Sequence, residues 1–166
     1  MNYFEQLIGI VGSLLVFWVN RIISRFGRIK LNVNDISCSP SERTPSGAIC
    51  STESITSNTY SLDISFDLDL INTSEYSKKI LRDTQFIAVD KNFYLSTILR
   101  DNSTLRTHHK IRLIDDLKNI NLNPKEIKSL NLSVSFSKDF DKIENSKWYF
   151  QYTKMNGKKH KFRITK

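Results

Sequence analysis

Alanine is nearly missing: only Ala48 and Ala88 occur in 166 residues. Alanine is the best helix former, so its scarcity argues against a mainly helical protein. Five glycines and three prolines are too few for a collagen-like or linker-like chain. Two cysteines can build neither a disulfide-rich scaffold nor a four-thiolate metal site. The glycines (Gly9, Gly12, Gly27, Gly47, Gly157) form no phosphate loop, no G-x-G-x-x-G turn and no G-x-S-x-G elbow. The three histidines make no H-E-x-x-H zinc motif. What remains is 39% hydrophobic and 25% charged, with ten Phe and six Tyr. That is too apolar for a disordered chain, about one domain long, and rich in strand formers.

Acid is scarce where base is plentiful, and the net charge of +8 is uneven. Residues 1–20 carry only Glu5, and residues 21–30 carry Arg21, Arg25, Arg28 and Lys30. Residues 31–75 hold seven acids against Arg43, while 76–166 hold twenty bases against nine acids. A basic far half can attract phosphate, anionic lipid or an acidic partner, or can simply be a solvated lysine-rich surface.

One uncharged apolar run stands out. Leu7, Ile8, Ile10, Val11, Leu14, Leu15, Val16, Phe17, Trp18 and Val19 fall within thirteen residues that hold one hydroxyl. Extended by Tyr3 and Phe4 upstream and by Ile22 and Ile23 downstream, the run predicts a single transmembrane helix over about residues 3–23. Tyr3 and Trp18 would sit near opposite interfaces, and Arg21 would snorkel. A cleaved signal peptide needs a basic start and a small-residue cleavage site, and neither pattern is present. Arg21, Arg25, Arg28 and Lys30 follow the run, so the positive-inside rule predicts a cytoplasmic soluble domain on the inner membrane. Arg21, Arg25 and Arg28 also recur at i, i+4, i+7, opposite Ile22, Ile23, Phe26 and Ile29. That spacing predicts either a basic amphipathic continuation of the helix or a plain stop-transfer cluster.

The expected organisation has three parts: the helix with its basic end over 1–29, a first strand and Ser/Thr-rich loop over 30–59, and a β-sandwich over 60–166. Residues 30–37 alternate and read as the first strand; 37–59 read as a long loop. Cys38 and Cys50 sit at the two ends of that loop, a disulfide in an oxidising compartment and free thiols in a reducing one. From Tyr60 the period is two, with Leu62, Ile64, Phe66, Leu68 and Leu70 opposite Asp63, Asp67 and Asp69. Further strands are predicted at 84–90, 93–99, 106–115 (Ile111 and Leu113 inward) and 130–136. Residues 117–123 are ambiguous, with a turn or short helix favoured at Pro124, and 138–145 read as a polar connection. Trp148, Phe150 and Tyr152, then Asn156-Gly157, then His160, Phe162 and Ile164 signal a hairpin. About seven antiparallel strands in two packed sheets resemble an immunoglobulin-like β-sandwich at the level of architecture. The antibody Cys, Trp, Cys pattern is absent, so the resemblance carries no site residues.

Catalytic chemistry is not evident. His108 and His109 on one strand would face opposite ways, and the Asp63, Asp67, Asp69 row reads more simply as a wet strand face than as a cation site. No cofactor and no metal are expected. Lys159, Lys161 and Arg163 share one face of the last strand, with Tyr149 and Gln151 outward beside them. This stripe would bind an anionic leaflet or guard a sheet edge, with nucleic acid a less favoured partner. The expectation is an integral-membrane, non-enzymatic interaction module for a protein partner or anionic lipid. The alternatives are a membrane-tethered nucleic-acid binder and a metal-dependent hydrolase using Asp63, Asp67 or His108.

Overall fold

A computed structural model describes residues 3–25, 27–109 and 111–164. Phe26 and the side chains of Phe4, Glu5, Ser24, Arg25 and Ile111 lie outside the described set. Helix α1 runs Tyr3–Arg25, and its 23 residues are about 35 Å long at 1.5 Å each. The lone hydroxyl of the apolar run, on Ser13, donates to the Ile10 carbonyl at 2.8 Å. The basic amphipathic continuation does not form. The described helix ends at Arg25 and a strand begins at Ile29, so Arg28 and Lys30 leave the helical face of Arg21.

Among the described residues eleven strands follow, where about seven were expected. In chain order they are β1 (Ile29–Arg43), β2 (Ile49–Ser51), β3 (Thr59–Asn72), β4 (Lys79–Asp90), β5 (Phe93–Ile98) and β6 (Arg100–His108). Then come β7 (Ile111–Asp116), β8 (Ile120–Leu122), β9 (Ile127–Phe136), the short helix α2 (Phe140–Glu144), β10 (Lys147–Lys154) and β11 (Lys159–Arg163). One sheet has the order β2-β1-β3-β9-β6-β7; the other has β11-β10-β4-β5, with β8 also on β4. Neighbours pair antiparallel throughout.

Period-two alternation explains the core. Leu62, Ile64, Phe66, Leu68 and Leu70 of β3 are all 2% exposed or less. They stand beside Leu130, Leu132 and Val134 of β9 and face Leu81, Phe86, Trp148, Phe150 and Tyr152 of the other sheet. Phe86 is the hub, with ring centroids 5.7 Å from Phe136, 5.8 Å from Trp148 and 6.4 Å from Phe66. Burying such rings accounts for most of the drive to pack two half-apolar sheets together.

Several stretches differ from expectation. Residues 37–43, read as loop, continue β1, which pairs with β3 from Ile29 to Glu42. The sandwich therefore includes the first strand and starts at Ile29. Residues 106–115 are not one strand but parts of a hairpin that turns at His109 (φ 46°), leaving Leu113 exposed rather than inward. Residues 120–122 form β8 against β4, ended by the Pro124 turn. The polar connection holds α2, whose Ile143 is fully buried and whose Ile143 carbonyl accepts the Trp148 indole N–H at 2.7 Å. These elements pair at edges or bury only one or two residues each, so they leave little apolar period to read.

Candidate functional site

The chain passes from α1 to the sandwich through a tight joint. The Arg28 N–H donates to Thr73 Oγ1 at 2.7 Å, Thr73 Oγ1 donates to the Arg28 carbonyl at 2.9 Å, and the Thr73 N–H donates to the same carbonyl at 3.0 Å. Gly27 lies so close that a Cβ there would stand 2.2 Å from the Ser74 backbone. Buried Asn72 fastens the loop from within. Its amide donates to the carbonyls of Ser77 (2.9 Å), Leu122 (3.3 Å) and Asn123 (2.8 Å), and its Oδ1 accepts from Ser74 N–H (3.1 Å). A buried amide so fully engaged fixes the loop rather than merely occupying it.

Beside this joint a cleft of about 680 Å³ opens between the start of β1 in one sheet and β4, β10 and β11 in the other. Its cations are Arg28, Lys78, Lys79 and Lys154. No carboxylate lines it, and none of the four is in a described ion pair. Its floor is aromatic: Tyr152 stacks on His160 at 5.6 Å and on Phe162 at 5.9 Å. Ile29, Ile80 and exposed Met155 add apolar walls. The β10–β11 turn shapes one rim, held by Lys154 N–H to the Lys158 carbonyl (2.9 Å) and by Gly157 at φ 77°. His160 is held below the usual imidazole value by desolvation first and then by Lys154 and Lys158. Burial pushes the Tyr152 phenol up to about 12. Both rings thus stay neutral near pH 7 beside a row of fixed positive charges.

The residues singled out from sequence fall in three places. Leu7, Ile8, Ile10, Val11, Leu14, Leu15, Val16, Phe17, Trp18 and Val19 all lie on α1, each 48–63% exposed, with none covered by the sandwich. Of the basic cluster, Arg21 is on α1, Arg28 in the joint and cleft, and Lys30 exposed on β1 opposite Ile71. Lys159, Lys161 and Arg163 do share a face of β11, but it is the outer face of the sheet, with Lys161 Nζ 5.8 Å from the Tyr94 ring centroid. The alternate residues His160 and Phe162 enter the cleft instead.

The acidic row is a polar strand face. Asp69 accepts from Ser129 Oγ at 2.6 Å and from Asn34 Nδ2 at 3.0 Å, which in that order lower its pKa, and Asp63 accepts from the Ser135 hydroxyl. His108 and His109 do not point apart as a straight strand would require; the turn brings their rings to 4.2 Å. Among the described residues no three His, Cys, Asp or Glu side chains group as metal ligands. Cys38 lies opposite Ile64 and Cys50 opposite Glu42, and both are exposed free thiols.

Sequence reasoning missed the cleft because its cations come from segments near 28, 78 and 154 that only the fold unites. The one legible signal was parity: His160 and Phe162 alternate with the lysine stripe, so the inward face of β11 is aromatic.

Two solved structures align with most of the chain at low identity and low TM-score. A protein of Bordetella pertussis assigned as ApaA aligns over 84% of this chain and 91% of its own, with 12% identity and a TM-score of 0.39. An uncharacterized beta-sandwich protein of Clostridium difficile 630 aligns over 83% and 86%, with 14% identity and a TM-score of 0.35. No curated protein matches the sequence. The family model of the YopI Ig-like domain, in contrast, matches residues 27–165, from the joint glycine through the last strand. That is well over half of the sequence, and the chain belongs to the YopI Ig-like domain family.

Proposed function

We propose that this chain is a single-pass membrane protein whose Ig-like sandwich is a non-enzymatic interaction module, held on the cytoplasmic side of the bilayer. The observation that carries the reading is α1. Its 18-residue stretch Gln6–Ile23 has a mean hydropathy of 1.7, and none of it is buried against the sandwich. An apolar patch of that size needs a cover other than water, and a helix of this length suits a hydrocarbon core about 30 Å thick. The basic residues after it favour a cytoplasmic sandwich. The module would bind a protein partner or anionic lipid at the membrane surface. Nucleic acid is the weaker reading, since an anionic leaflet beside the anchor would be the nearer partner for the basic stripe.

The test is fractionation with alkaline carbonate, followed by labelling of Cys38 and Cys50 with an impermeant thiol reagent. Both thiols are exposed and suit the assay. The chain should stay in the membrane pellet and label only after permeabilisation. Release into the carbonate supernatant overturns the anchor; labelling in intact cells overturns the orientation.

A further inference from the structure

We infer that the cleft beside the helix end binds a phosphate ester of lipid-headgroup size. The inference deepens the proposed function and, for a membrane source of the ester, rests on it. Arg28, Lys78, Lys79 and Lys154 come from three separate segments into one cavity with no carboxylate among its lining residues. Like charges gathered this way repel one another, and a dianion relieves that repulsion better than a single carboxylate does. A phosphate ester carries about −1.5 to −2 charges as a monoester and offers several acceptor oxygens to Arg and Lys donors.

The remaining walls say what else the ligand carries. Tyr152, His160 and Phe162 form a stacked floor, and Met155 with Ile29 and Ile80 add apolar surface. A bare inorganic anion would leave those walls unused; an ester with a carbon skeleton would cover them. The cavity, about 680 Å³, falls within the usual size of small-ligand sites, about 300–1,000 Å³. Its place fits a lipid source. Gly27 and Arg28 line the cleft, and α1 ends at Arg25, so a bilayer holding α1 would set headgroups beside the opening. A soluble phosphate ester presents the same chemistry.

The experiment uses the full chain in phosphatidylcholine nanodiscs with and without one-fifth phosphatidic acid, the lipid phosphate monoester, and glycerol 3-phosphate as the soluble probe. Thermal unfolding reads the occupied cleft, because a ligand that binds only the folded state raises the midpoint. Lys78→Glu with Lys154→Glu removes two cleft cations. Lys159→Glu with Lys161→Glu makes the same charge change on the outer face of β11. The expected result is a rise in midpoint with the probe that is lost in the cleft variant and kept in the outer-face variant. Glycerol 3-phosphate affinity should fall on the order of tenfold per cation removed, as a charge-assisted hydrogen bond is lost each time. A rise with phosphatidic acid assigns the lipid source. A response to glycerol 3-phosphate alone assigns a soluble ester, and it stands even if α1 proves not to be a membrane anchor. No response to either probe overturns the inference, as does equal loss in both variants, which would mean general charge attraction. Tighter binding of a single-stranded oligonucleotide than of either probe overturns it too, in favour of nucleic acid.

Discussion

Gly27→Ala tests the joint between helix and sandwich. The new methyl would be forced to 2.2 Å from Ser74 Cα and N and 2.5 Å from Thr73 C. All three are backbone atoms, so no side-chain rotation relieves the clash, and the loop must draw away from Arg28. The retreat breaks three hydrogen bonds between Arg28 and Thr73 of 2.7, 2.9 and 3.0 Å. At about 0.5–1.5 kcal/mol each, the loss is roughly 1.5–4.5 kcal/mol. Taking the middle of that range, about 3 kcal/mol, and a urea m-value of about 2 kcal/mol/M, the unfolding midpoint should fall by about 1.5 M. Thr73→Ala alone removes the two bonds made by its hydroxyl and should cost about 1–3 kcal/mol. The two changes act on one contact, so the double variant should lose clearly less than the sum of the single losses. Urea unfolding of the three variants, with amide exchange at Arg28 and Thr73, measures this. A neutral Gly27→Ala, or strictly additive losses, would refute the idea that the glycine is required for close approach.

Three further outcomes follow from the packing and charge. Thr84 has a buried hydroxyl with no hydrogen-bond partner among the described residues, so Thr84→Val should raise stability by about 1 kcal/mol; a lower urea midpoint would show that the hydroxyl is paired. His160 titrates below its ordinary 6.5 because of desolvation and then Lys154 and Lys158, so the folded chain binds fewer protons than the unfolded one as pH falls through that region. Stability present above 6.5 is therefore lost on acidification, and His160→Gln should flatten the loss as pH falls below about 6.5 in chemical unfolding; an unchanged slope counts against it. Cys38 and Cys50 fall four residues apart along β1 in register, about 13 Å by strand rise, beyond the roughly 7 Å limit of a disulfide. Diamide should leave both thiols titratable in the folded monomer, and an intrachain bridge would contradict the register.

What the sequence disclosed follows from which faces are buried. β3, β9 and β10 are each apolar on one side, so Leu62 to Leu70, Leu130 to Phe136 and Trp148 to Tyr152 announce their strands by alternation. The second half of β1 reads SCSPSER and buries only Pro40 and Ser41; its strand identity comes from the ladder to β3, not from its side chains. β6 and β7 are hidden for the same reason, since Leu105 and Leu113 are both about half exposed at the sheet's edge. In β4 an irregularity between Arg82 and Gln85, with Asp83 at φ 48°, interrupts the period before Phe86 restores it. The cleft was further from reach. Its lysines look like any solvated lysine until the antiparallel order of β4, β10 and β11 sets their ends together.

The joint also sets a distance. From Arg25, the last residue of α1, to Arg28, pinned on Thr73, the chain takes three steps, a leash of roughly 11 Å at 3.8 Å per step. β3, with 14 residues, runs about 45 Å from one end of its sheet to the other. The near end of the module therefore stays within that reach of the helix, while the far end, with the β1–β2 hairpin, can swing on an arc about as wide as β3 is long. A short leash thus restricts where the module sits but not which way its far end points.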